Sequence, residues 1–305
     1  MSRVHAVGVK PRGARKPFRI PLHLLVGATG EPSSVGALHV AAALAKRGNA
    51  SVHVLTVCTP FPHSITMSDL SSPPMMDEEN RRAALAGVKA QLENLPEAKP
   101  WTVHAVVGWP AEAIVDEAER WPASLIVLGR GEHHAWDRLF GPETAIAVAR
   151  RSRAPVLAVV PAARKAPSRV LAAIDFTESS VNAAKLAARL MVPNGTLILA
   201  HVSAFAETHA KKGSLPDLYE VGVEDRLAEC QSEIQQATGH GVETVLLSGE
   251  VVSHLVEHAA HEGCDLIAVG GHRQGFVDRL LIGSVRSGVL RSAKCSVLIG
   301  AQQAS

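Results

Sequence analysis

Aromatic residues are scarce. Phe, Trp and Tyr together make up 4% of the chain. That is too little aromatic surface for a protein that reads nucleic acid by stacking bases. Charge of one sign is not in excess either. The formal net charge is +2, so no global basic field attracts nucleic acid. No apolar run approaches the ~20 residues that a membrane-spanning helix needs. The N-terminal stretch MSRVHAVGVKPRGARKPFR is basic but has no apolar core of the signal-peptide kind. Residues 1–18 are therefore expected to be a disordered tail. Cysteine is sparse, and Cys58, Cys230, Cys264 and Cys295 show no CxxC spacing. Three of the four lie in or beside apolar runs, which fits buried, reduced thiols in a cytoplasmic protein. Also missing are a G-x-S-x-G elbow, a Walker A pattern and a carboxylate pair placed for acid–base chemistry. An enzyme is the weakest reading that these absences leave.

What is present is aliphatic. The 305 residues suggest about two domains. At 47% hydrophobic, the chain can fill α/β cores. Leu22 to Val26 reads as a strand, Ser33 to Arg47 as a helix and Ser51 to Val57 as a strand. Pro60 to Met76 reads as a long loop, with Met67, Met75 and Met76 offering an adaptable contact surface or a lid. A charged helix, Asp77 to Leu95, follows. Then come strand Thr102 to Val107, helix Pro110 to Arg120 and strand Leu125 to Leu128. Helix Thr144 to Arg150 and strand Val156 to Val160 end the series. Strands alternating with helices predict a doubly wound parallel sheet.

After the linker-like PAARKAPS, Pro161 to Ser168, the pattern repeats. LLVGATGEPSSVGALHVAAAL matches VLAAIDFTESSVNAAKLAARL at an offset of 146 positions, Leu24 to Val170. Further on the offset is 141 positions, Gly129 to Gly270 and Gly108 to Gly249 alike. Asp137-Arg138-Leu139 falls on Asp278-Arg279-Leu280 in the same register. A constant offset over such a length marks an internal duplication. The expected layout is a first domain over 19–160, a linker over 161–168 and a second domain over 169–301.

The richest stretch is DLIAVGGHRQGFVDRLLIGSVRSGVLRSAKCSVLI, Asp265 to Ile299. A buried strand, Leu266 to Val269, leads to Gly270, Gly271 and Gly275. Gly283-Ser284 then opens a helix carrying Val285, Val289 and Leu290 on one side. Unpaired N–H groups and a partial positive charge at a helix start suit a phosphate, with Ser as a good N-cap and Gly allowing close approach. The run resembles the C-terminal half of a universal stress protein domain. The nucleotide-binding branch of that family carries G-x2-G-x9-G-[S/T]. Gly270 matches its first Gly, Gly283 its third and Ser284 its hydroxyl residue. Arg273 stands where the second Gly is expected. GWPAEAIVDEAE, Gly108 to Glu119, resembles another element of the family, so the likeness spans both halves of a tandem member.

The resemblance implies a fold of two Rossmann-like domains and an ATP- or AMP-type site, with Mg as a possible companion. It places Asp175 against the nucleoside and Ala173 and Val202 against the base. Gly270, Gly283, Ser284 and Val285 would line the phosphate side. Arg273 either strains the loop and blocks the pocket or pairs with phosphate. In the first half the equivalents are Thr29, Pro142 and Glu143. Pro has no N–H to offer and Glu repels an anion, so that site is expected to be lost. The expectation is a cytoplasmic stress-response regulator with a nucleotide site in the second domain only, capable at most of slow ATP hydrolysis. The alternative is a structural or protein-interaction module without nucleotide. The resemblance also implies pairing across the last strands of the two halves, as an intramolecular pseudo-dimer, with a homodimer of chains open.

Other groupings read more blandly. His254, His258 and His261 recur at helical spacing and are expected to form a solvated polar face rather than a metal site. The repeated Asp137-Arg138 and Asp278-Arg279 suggest a structural ion pair. Phe205 to Gly222 reads as a second long loop.

Overall fold

The computed structural model describes residues 22–48, 50–59, 73–131, 141–203, 215–271 and 282–301, with backbone alone for 73–76, 215–221 and 282–284. By its internal contacts the chain divides between Lys165 and Ala166.

The first unit runs β1 (His23–Gly27), α1 (Pro32–Gly48), β2 (Ser51–Cys58), α2 (Pro73–Glu93), a short 3-10 turn (Pro96–Ala98), β3 (Thr102–Val107), α3 (Pro110–Arg120), β4 (Leu125–Gly129), α4 (Pro142–Arg151) and β5 (Val156–Val159). Its strands lie in the order β3-β2-β1-β4-β5, and all of these pairs are parallel. The second unit runs β6 (Arg169–Ala173), α5 (Glu178–Leu190), β7 (Thr196–Ser203), α6 (Leu215–Thr238), β8 (Gly241–Ser248), α7 (Val251–His261), β9 (Leu266–Val269), α8 (Ile282–Ser292) and β10 (Ser296–Ile299). Its order is β8-β7-β6-β9-β10, again parallel throughout.

Parallel strands need crossover helices, which cover both faces of a sheet and bury its central strands. The central strands here are aliphatic runs for that reason. Leu24, Leu25 and Val26 of β1 and Leu125, Ile126 and Val127 of β4 are fully buried. So are Val170, Leu171, Leu266 and Ile267 in the second unit. β3 and β8 stand at the ends of their orders, and β8 alternates between more and less buried positions, the period-two signature of a half-covered strand.

Two long helices begin earlier than the sequence reading has them. α2 opens at Pro73, so Met75 and Met76 lie on a helix. α6 opens at Leu215, which moves Leu215 to Gly222 from loop into helix. Proline is tolerated in a first helical turn, where its missing N–H would be unpaired anyway. Pro73, Pro74 and Pro216 thus open helices rather than mark loops. Residues 60–72 and 204–214 of those predicted loops, Met67 included, lie outside the described residues, as do both Asp-Arg pairs. The predicted linker is also partly folded. Ala166 is buried, and Asp265 Oδ2 accepts from Ser168 N at 2.8 Å and Ser168 Oγ at 2.7 Å.

Candidate functional site

In a parallel α/β sheet, ligands bind outside the carboxyl ends of the strands, where the strand order reverses. In the second unit β6 is that point, with β7 on one side and β9 on the other. Ala173 ends β6, Asp175 follows it, and Val202 lies near the end of β7. Gly270 follows β9, and Gly283, Ser284 and Val285 fall in the first turn of α8. The helix opens at Ile282, so Ser284 is inside that turn rather than at its N-cap. Val285 is half-buried, whereas Val289 and Leu290 are core residues. Arg273 lies outside the described residues.

The β6–α5 turn is built on Asp175. Its Oδ1 accepts from Thr177 N at 3.0 Å and from Thr177 Oγ1 at 2.5 Å. Thr177 is the N-cap of α5, its Oγ1 accepting from Ser180 N. Ser180 Oγ donates back to Thr177 O at 2.9 Å. Asp175 is exposed, and its Oδ2 has no partner among the described residues. Phe176 between them is left-handed, with φ 62°, an uncommon state for a bulky residue. Its ring is covered by the Arg226 guanidinium, 4.1 Å from the centroid, and packs on His201 at 4.7 Å.

Laid on the first unit, this turn separates what the fold needs from what it does not. Thr29 occupies the place of Asp175, and its Oγ1 accepts from Glu31 N at 3.1 Å. Ser34 occupies the place of Ser180, and its Oγ donates to Glu31 O at 2.9 Å. Gly30, with φ 78°, occupies the place of Phe176. The turn is the same, yet Thr29 makes it without charge. The negative charge of Asp175 is therefore surplus to the fold.

The same comparison weakens another candidate. A Cβ on Gly270 would sit 3.0 Å from Ser180 N, and Gly271 N donates to Ser179 Oγ at 2.7 Å. In the first unit, a Cβ on Gly129 would sit 2.3 Å from Ser33 O. Both glycines let the strand end reach the start of a helix. Gly270 is thus required by packing in either unit, whether or not a ligand is near. At the helix starts the units do differ: α4 begins with Pro142 and Glu143, after Gly141 as an N-cap with no side-chain bond.

Two residues that sequence reasoning missed stand beside these positions. Arg286, on α8, donates from Nη1 to Gly271 O at 3.0 Å. It brings a cation to the loop after β9, and its counterpart, Ala145, carries none. His201, next to Val202, donates from Nδ1 to Ile174 O at 2.7 Å, since a carbonyl can only accept. Its Nε2 is buried and has no partner among the described residues.

Burial raises the thiol pKa of Cys58 and Cys230 and lifts Cys264 to about 12. None of these three is in a disulfide, and all three are poor nucleophiles. His254, His258 and His261 do not converge on a point. His254 Nδ1 instead bonds Glu250 O at 2.8 Å, the rings of His258 and His261 are 6.4 Å apart, and His261 is exposed. No helix among the described residues is long and apolar enough to cross a membrane.

Two doubly wound parallel units define a tandem α/β protein of Rossmann-like type. The family model described as "Universal stress protein family" matches residues 22–160 and again 167–299. The chain belongs to that family, as a tandem member. A universal stress protein from Archaeoglobus fulgidus DSM 4304 is 19% identical, with 92% of this chain and 96% of that one covered at a TM-score of 0.62. A putative universal stress protein from Pseudomonas aeruginosa UCBPP-PA14 is 16% identical, covering 92% and 93%, with a TM-score of 0.62. At these identities the likeness is one of fold. A universal stress protein solved in complex with cAMP is 26% identical over 45% of this chain and 98% of that one, at a TM-score of 0.35. No curated protein matches the chain.

Proposed function

We propose that this chain is a cytoplasmic stress-response regulator that binds one adenine nucleotide, ATP or AMP with Mg as companion, in its second unit. The observation that carries this reading is the surplus charge of Asp175. A neutral Thr29 makes the same turn in the first unit, so the fold does not require a carboxylate there. An exposed carboxylate at a strand end suits the hydroxyls of a ribose. The start of α8, with Gly283 and Ser284 where α4 has Pro142 and Glu143, suits the phosphates. Arg286 adds a positive charge on the same helix, and Ala173 and Val202 offer apolar surface to the base. Arg273 enters as a phosphate partner, by its guanidinium. The nucleotide acts as an ordering ligand, since among the described residues no group at the site is placed as a catalytic base.

A second reading, a protein-interaction module without nucleotide, draws on Gly270 and Gly271. Packing alone accounts for both. The two readings part on Asp175→Asn and Gly283→Glu, tested by displacement of a fluorescent ATP analogue. Asp175→Asn keeps the Oδ1 that holds the turn and removes only the charge. Nucleotide binding predicts a loss of roughly 10-fold for it, of the size of one charged hydrogen bond. It predicts abolition for Gly283→Glu, with unchanged circular dichroism. Unaltered affinity in both variants would rule this site out.

A further inference from the structure

His53, His104 and Glu117 are far apart in sequence and meet at one edge of the first unit. Their ligating atoms all lie within 4.8 Å of one another. His53 is on β2, His104 on the edge strand β3 and Glu117 on α3, which covers that face. The register explains the meeting: His53 pairs with Thr102, and His104 is two residues further along, on the same face. His53 Nε2 is 2.8 Å from Glu117 Oε1, and His104 Nδ1 is 3.5 Å from the same oxygen. We propose that these three side chains form a binding site for a divalent first-row transition-metal ion of the zinc class.

The donor set is two imidazoles and one carboxylate, a combination that zinc accepts with water completing the shell. Zinc bonds of about 2.0–2.1 Å at tetrahedral angles put donor atoms roughly 3.4 Å apart. The His104 to Glu117 separation already has that value, and a small rotation of Glu117 opens the shorter one. His53 is fixed from outside, as metal-bound imidazoles are. Its Nδ1 is 2.7 Å from Thr102 Oγ1, which leaves Nε2 to face the centre. Trp121 stacks on its ring, with centroids 5.4 Å apart. The side chains of His53 and Glu117 are 11% and 9% exposed, whereas that of His104 is 54% exposed. The site is thus anchored inside, at His53 and Glu117, and open to solvent at His104. Arg120 approaches the other carboxylate oxygen, Oε2, at 3.7 Å, leaving Oε1 to the histidines.

The fold does not demand this cluster. In the second unit the same places hold Ile198, Val245 and His258, the first two being core residues. A buried Glu is costly unless it is paired. Two histidines from neighbouring strands are more than one carboxylate needs for that.

The test uses the full chain, freed of metal by a chelator and kept reduced. Zn2+ is titrated against a competing metal dye, and Co2+ uptake is followed by its electronic spectrum. One Zn2+ per chain is expected at this site, with a Co2+ spectrum free of thiolate charge transfer. His104→Ala alters an exposed side chain and leaves the fold intact; it should weaken Zn2+ by at least about 10-fold. Glu117→Gln should do the same, and Thr102→Val, which acts only by orienting His53, should cost about 10-fold. Failure to take up Zn2+ at up to about 0.1 mM would overturn the proposal. So would affinity unchanged in His104→Ala and Glu117→Gln, or a thiolate band that persists in His104→Ala, which would put the ion on the cysteines.

Discussion

At the scale of single residues, the duplication works as an internal control. Positions that agree in both units report the needs of the fold, and positions that differ report something else. Gly129 and Gly270 agree, and both lie where a Cβ would meet backbone. Gly129→Ala should lower stability by about 1–3 kcal/mol in urea unfolding. Gly48→Ala, where a Cβ meets nothing within 4 Å, should be neutral or slightly stabilising. Thr29 and Asp175 differ, and that difference was legible in the sequence because the offset aligned them. Phe176 was not legible as left-handed, since only its partner Gly30 announces such a backbone. Cys264 carries a further prediction. Its thiol, lifted to about 12 by burial, should resist alkylation at pH 8 in the native chain and react on unfolding. The raised native pKa means stability is unaffected below about pH 8.5 and falls as pH rises from there towards 12.

At the scale of elements, strand cores and helix types were readable because aliphatic runs and apolar periodicity follow from burial on a parallel sheet. The starts of α2 and α6 were not, because Pro-rich segments serve loops and first turns alike. The His53–His104–Glu117 cluster was hidden for another reason. It depends on strand register and on a helix 64 positions from His53, which no local spacing encodes. Caps give the predictions proper to this scale. Thr177→Ala removes the α5 cap and one of the two bonds that hold Asp175, leaving the one from the backbone N–H, so it should cost about 1 kcal/mol in stability and weaken nucleotide binding as well. α7 is capped by Glu250, whose carboxylate accepts from Val252 N at 3.1 Å and Ser253 N at 2.7 Å. Bonds from Ser253 and Val252 hold its pKa below the usual carboxylate range. A depressed native pKa stabilises above about pH 4.3, the unfolded value, and that contribution is lost as pH falls through the native pKa. In Glu250→Gln, the acid limb of the stability profile should be shallower than in the parent chain.

At the scale of the whole chain, two copies of one unit carry different residues at equivalent places on a shared scaffold. The second keeps a carboxylate after its first strand and Gly-Ser at its last helix. The first has Thr, Pro and Glu in those places and gathers two histidines and a glutamate at its sheet edge instead. The tandem architecture was legible from the offset alone, and the family match over 22–160 and 167–299 agrees with it. The proposal that only the second unit binds nucleotide makes a prediction about stoichiometry. The measurement is a calorimetric titration of ligand-stripped protein with ATP in the presence of magnesium. The account predicts one ATP per chain, abolished by Gly283→Glu. Two per chain, or one that survives Gly283→Glu, would contradict it.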